Sequence, residues 1–246
     1  MKSASSRKPL FWLTVAAWSA TLLLALMMAR QESQWSLPMK RLKDLGFHHG
    51  GTSPVVALQL AGSQEIVNQM MPVQLATGRA DRGNAIRLVQ WDFPFIVGYA
   101  SLFVLLALRV RHGRRRWLLI SLAVFTGLCD LLENLQLLAA IRSTSEKPDG
   151  FHPPLLVSAA TLKWTALFLL ITLTGYSELT QSTYRRLPAF WRCLSALLML
   201  AGGVTGLLWC GGLNSGLLLQ NGLAFVTGSL ALFPLRFLLP DGKWCR

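Results

Sequence analysis

The chain has 246 residues, 52% of them hydrophobic and only 14% charged, which is too apolar for an ordinary soluble domain. The formal net charge is +13, yet the Lys and Arg residues sit between apolar runs and no nucleic-acid-binding motif accompanies them. Nucleic acid is therefore not expected as a partner, and membrane topology explains the charge better. The four cysteines, Cys129, Cys193, Cys210 and Cys245, are scattered without a CxxC pair, so they read as small buried apolar residues and not as a disulfide framework or a zinc cluster.

The first apolar run, "LFWLTVAAWSATLLLALMMA" at 10–29, is long enough to cross about 30 Å of hydrocarbon. Lys2, Arg7 and Lys8 precede it, and "MMARQE" lacks an A-x-A cleavage site. It reads as an uncleaved first span with its start in the cytoplasm. Residues 30–90 are mixed polar, contain Pro38, Gly46 and Pro54, and are placed outside. Within them Val56, Leu60, Val67, Met70 and Met71 recur at helical spacing, and Ser53 followed by Pro54 makes a helix start. One or two short amphipathic helices are expected there, lying on the membrane or capping the bundle. The glycines and prolines are also compatible with a partly ordered loop.

The second span is "WDFPFIVGYASLFVLLALRV" at 91–110, with Trp91 in the interfacial aromatic belt. Arg109, Arg111, Arg114, Arg115 and Arg116 follow in a short loop, which places that loop in the cytoplasm. The third span covers 117–141. The loop after it, "RSTSEKPDGFHPP", has no charge bias and suits the outside. The fourth span covers 155–176, Arg185 and Arg186 mark the next cytoplasmic loop, and the fifth span covers 189–210. "GGLNSG" makes an external turn, a sixth span covers 217–239, and a tail with Lys243 and Arg246 returns inside. The fold class is thus an all-α, polytopic transmembrane helical bundle. It forms a single membrane domain of six spans with N- and C-termini cytoplasmic, a multi-pass protein of the cell inner (cytoplasmic) membrane. Only the basic character of 30–90 runs against the positive-inside rule, in a segment about as long as the rule's limit of about 60 residues.

Gly202 and Gly206 form a GxxxG, and Ala224 and Gly228 a small-xxx-small pair. Such spacing lets helix backbones approach closely, either within the chain or in an oligomer. The two halves show no repeat, inverted or otherwise.

In "GLCDLLENLQLLAAI", Asp130, Glu133 and Asn134 share one helix face, being three and four residues apart. An ionised carboxylate in hydrocarbon costs about 2.5–3.5 kcal/mol even on the lenient insertion scale, so this face must point into the bundle or into water. Lys163, in "TLKWTA", is the one basic residue well inside a predicted span. With a rise of about 1.5 Å per residue, Glu133 and Lys163 both lie roughly 12 Å below the outer ends of their helices. An ion pair of Lys163 with Glu133 or Asp130 is expected. In the second span, Tyr99 lies seven residues after Asp92 on the same face, and Asp92, before Pro94, is also placed to cap that helix. His152 sits in the adjoining external loop. A metal site of the carboxylates with His152 lacks HxxxH or ExxH spacing, and no metal or other cofactor is expected.

The stretches "LQLAGSQE", "WDFPFIVGY", "GLCDLLENLQ" and "ATLKW" resemble a group of uncharacterised bacterial multi-pass integral membrane proteins. In these, a short amphipathic segment precedes an Asp/Tyr helix, a D-x-x-E-N helix and a helix with an intramembrane Lys. The likeness covers roughly residues 55–170. It implies that Asp92, Tyr99, Asp130, Glu133, Asn134 and Lys163 form one unit, and it implies no reaction.

The residues point first to an outward-facing polar intramembrane pocket that binds or passes a small polar or amphiphilic ligand, with membrane lipids as neighbours. Asp130 and Glu133 would carry a proton, Lys163 would neutralise them or hold an anionic group, and Asn134 and Tyr99 would orient. Three other readings use the same residues. One is an intramembrane enzyme acting on a lipid-like substrate, although no nucleophile, phosphate-loop or cofactor motif is present. A second is a non-catalytic scaffold. The third is a buried ion pair that only fixes helix register.

Overall fold

The computed structural model describes residues 7–35, 54–59, 61–110, 113–143, 150–181 and 187–210, with Ala224 and Val226 beyond them. The described residues are helical, and no strand occurs among them. In chain order the helices are α1 (Arg7–Glu32), α2 (Pro54–Gln59), α3 (Gln64–Met70), α4 (Ala76–Arg109), α5 (Arg114–Arg142), α6 (Pro153–Gln181) and α7 (Leu187–Cys210). Four of them, α1, α4, α5 and α6, contain stretches long and apolar enough to cross a membrane. The apolar part of α7, Cys193–Leu208, is shorter. Apart from Ala224 and Val226, the sixth expected span, at 217–239, lies outside the described residues, as does Leu60.

The second of these long helices differs from expectation at its start. It begins at Ala76, not Trp91, so residues 76–90 are its first turns and not a loop. They are too polar to span, but Asp81, Arg82, Ala85, Leu88 and Val89 are all buried. Their spacing of three and four residues is that of one helix face. Asp92 is consequently far inside the helix and caps nothing. Pro94 also lies inside α4, where it withholds the hydrogen bond that would reach the Gln90 carbonyl.

Two compact units emerge from the packing, and α1, α4, α5 and α6 each contribute a stretch to both. The first comprises residues 1–18, 101–124 and 164–246. In it α6 and α7 approach through glycines. A Cβ on Gly175 would lie 2.8 Å from the Ala196 carbonyl oxygen, one on Gly203 would lie 2.8 Å from that of Phe168, and one on Gly206 would overlap the Phe168 ring. Gly206 is therefore used within the chain. Hydroxyls in these apolar helices are hidden by bonding back one turn: Thr172 donates to the Phe168 carbonyl and Thr174 to that of Leu170, each at 2.7 Å. Trp164 stacks on Phe168 with ring centroids 5.7 Å apart.

The second unit comprises residues 19–100 and 125–163. Its apolar core joins α2 and α3 to the ends of three long helices. Ala57, Leu58, Ala61, Val67, Met70 and Met71 pack with Ala85 and Val89 of α4, Leu137, Ala140 and Ile141 of α5, and Leu156 of α6. The two short amphipathic helices thus cap the bundle. Ser63 starts α3 from an extended conformation, and its Oγ accepts the Ile66 amide at 3.2 Å.

Candidate functional site

Six polar side chains converge within the second unit: Asp92 and Tyr99 from α4, Asp130, Glu133 and Asn134 from α5, and Lys163 from α6. None exceeds 8% exposure, and Glu133 is at 0%. The helical period explains the alignment. Asp92 and Tyr99 are two turns apart on α4, while Asp130, Glu133 and Asn134 occupy successive turns of one face of α5. Close approach of the helices comes from small residues beside the site. A Cβ on Gly127 would touch Ile96 and Ala100 of α4 at 3.5 and 3.6 Å, and one on Gly98 would stand 3.0 Å from Thr21 Oγ1 of α1.

Lys163 is the hub. Its Nζ donates to Glu133 Oε1 at 2.8 Å, lies 2.8 Å from Oε2 of the same carboxylate, and is 3.3 Å from Asp130 Oδ1. The contacts to Glu133 Oε2 and Asp130 Oδ1 lack hydrogen-bond direction, so these oxygens are held by the charge of the ammonium. Asp130 uses its other oxygen, Oδ2, to accept the Tyr99 hydroxyl at 2.9 Å. On the neighbouring side Asn134 Nδ2 donates to Asp92 Oδ2 at 2.8 Å. Both alternatives for the ion pair are therefore realised together, and all six residues expected from the sequence meet.

The charge count is unbalanced. Two carboxylates, Glu133 and Asp130, contact one ammonium, and the third, Asp92, has a neutral amide as its partner among the described residues. A buried ion pair is tolerable only when each charge is compensated. With all three acids ionised the group would carry two uncompensated negative charges, so it calls for a proton or a further cation. Among the described residues no three His, Cys, Asp or Glu side chains are arranged to hold a metal ion. His152 is exposed at the start of α6, where its amide donates to Gln136 Oε1 at 2.7 Å. It stands apart from the carboxylates' hydrogen-bond network.

A second buried polar group lies at the end of the bundle capped by α2 and α3, and sequence reasoning missed it. Arg82, only 7% exposed, spreads its guanidinium over neutral acceptors. Nε donates to the Met71 carbonyl at 2.9 Å, Nη1 to those of Ile141 and Ser143 at 2.6 and 2.8 Å, and Nη2 to Asn68 Oδ1 at 2.6 Å. Gln64 Nε2 adds bonds to the Ala140 carbonyl at 2.9 Å and to Asn68 Oδ1 at 3.1 Å. The last carbonyls of α5, which no helical amide can satisfy, are thereby bonded, and the cation sits at the negative end of the helix dipole. The signal for Arg82 was its place on one helix face with Ala85 and Val89, which is visible only once residues 76–90 are read as helix.

Comparison of the chain with protein-family models, with curated proteins and with solved structures finds no match.

Proposed function

We propose that this chain is a multi-pass protein of the bacterial inner membrane whose α4, α5 and α6 carry a proton-exchanging polar centre that binds or passes a small polar or amphiphilic ligand. The observation that carries this reading is the surplus of acid: Glu133 and Asp130 share one buried ammonium, and a third buried carboxylate, Asp92, lies beside them on Asn134. Fixing helix register needs one acid for one base, and every further buried charge weakens the fold. In this reading Lys163 is shared by Glu133 and Asp130, balances one of their two charges and is already too well engaged to be the first contact of an incoming anion. Asp92, which has only an amide for partner among the described residues, is the acid that gains or loses a proton as ligand arrives. Tyr99 and Asn134 hold Asp130 and Asp92 in place.

The orientation follows from the loops. The arginine-rich segment between α4 and α5 lies in the cytoplasm, so α2 and α3 face the outside, and the sixth span falls at 217–239. Native mass spectrometry of the purified protein tests the reading. A bound species is expected on the wild type and on the lipid-face variant Leu197→Ala, and is lost on Lys163→Ala. A protein that is empty in every form, and merely less stable as Lys163→Ala, would reduce the centre to a register pin.

A further inference from the structure

The six polar side chains are covered, and the cover at the end marked by α2 and α3 can be traced layer by layer. Val89 lies one turn from Asp92 on α4, Leu137 one turn from Glu133 and Asn134 on α5, and Leu156 two turns from Lys163 on α6. These three side chains are 4% exposed or less and belong to the same apolar core as Leu58, Val67, Met70 and Met71 of the capping segment. Buried apolar side chains therefore separate the polar centre from α2 and α3.

That cover is built differently from the long helices. α2 has six residues and α3 has seven, too few to hold a helix without tertiary contacts. Gly62 lies between them with open space where a side chain would be. Besides its apolar face, which packs into that core, α3 is fastened by polar bonds. Arg82 grips its end through Asn68 and the Met71 carbonyl while gripping the end of α5 through Ile141 and Ser143, and Gln64 reaches the Ala140 carbonyl. Removing this one side chain of α4 would take away its bonds to α3 and to α5 together and leave only Gln64, among the described residues, as the polar tie between those two helices. Just past the Arg82 contacts, the chain leaving α3 is anchored, because Gly78 of α4 is pressed against the Pro72 carbonyl with no room for a Cβ. That gives a fixed point about which α3 can swing.

We infer that α2 and α3 form a lid over the polar centre and that Arg82 is its latch, a positioning residue that never touches the ligand. The inference rests on the reading of the centre as a ligand site but is tested separately from it. Leu137→Cys places a thiol in the layer beneath the lid. In right-side-out membrane vesicles, a membrane-impermeant methanethiosulfonate added outside labels this thiol slowly, and mass spectrometry resolves it from the native Cys129. Adding Arg82→Gln, which removes the forked cation while keeping an amide, is expected to speed labelling of residue 137 by about tenfold or more, the effect of losing charge-assisted hydrogen bonds that close the lid. Labelling at Cys129 is expected to be unchanged. An unchanged rate at residue 137 would overturn the latch. A parallel rise at Cys129 would overturn it as well, since it would mean general loosening. Arg82→Lys keeps the charge without the fork, and its rate is expected between the other two. Neither outcome depends on Lys163→Ala, which probes the centre and leaves the lid's fastenings intact.

Discussion

Replacing Lys163 by Met removes the ammonium while keeping the length of the side chain, and the consequence can be worked from its contacts. Glu133 and Asp130 lose the cation that both of them share, at 2.8 and 3.3 Å. Glu133 has no exposure through which water could take over. Breaking a buried ion pair from one side costs about 3–5 kcal/mol, and with about 2–4 °C of Tm per kcal/mol for a chain of this size the melting temperature in detergent is expected to fall by roughly 6–20 °C. Neutralising the stranded acids should return most of it. The triple variant Lys163→Met, Glu133→Gln, Asp130→Asn keeps the shapes and leaves Tyr99 an acceptor. Thermal unfolding followed by circular dichroism in one detergent measures all the corners of the cycle. The reasoning fails if Lys163→Met melts within a degree of the wild type, or if the triple variant melts no higher than Lys163→Met alone.

Other consequences are smaller or more local. Tyr99→Phe takes away the donor to Asp130 Oδ2 and should destabilise by about 1–3 kcal/mol, read as a drop in Tm that Asp130→Asn does not worsen. Gly206→Ala drives a methyl into the Phe168 ring and should cost about 1–3 kcal/mol by overpacking, partly recovered when Phe168→Leu makes room. Ser63→Ala removes the cap of α3 and should lower its local stability by about 1 kcal/mol, seen as faster hydrogen exchange at the amides of Ile66 and Val67 with the exchange of α5 unaltered.

The polar centre was legible in the sequence because each of its residues is anomalous where it stands. A carboxylate pair with an amide at helical spacing, and a lysine at matching depth on the next helix, have few ways to be satisfied in hydrocarbon, so Asp130, Glu133, Asn134 and Lys163 nearly specify their own contacts. Asp92 was legible as a member but not in its role. Its neighbour Pro94 and the polar residues before it suggested a helix start, whereas α4 runs unbroken from Ala76. The same misreading hid Arg82. An arginine in a stretch with Gly78, Gly83 and Asn84 looks like a solvated loop residue, and what buries it is tertiary, namely α3 and the end of α5. The glycine pattern was half legible. GxxxG announces close packing but not the partner, and it is the Phe168 ring of α6 that fills the space at Gly206.

The acid surplus is most directly measured by infrared spectroscopy in the carboxyl-stretching region, on protein held at neutral pH in a buffer free of small metal cations. A protonated carboxylic-acid band is expected in the wild type, removed by at least one of Asp92→Asn, Asp130→Asn and Glu133→Gln and untouched by Glu65→Gln at the surface. A wild-type spectrum without any such band, from protein that carries no bound cation, would contradict the claim that this centre holds more acid than its one lysine can balance.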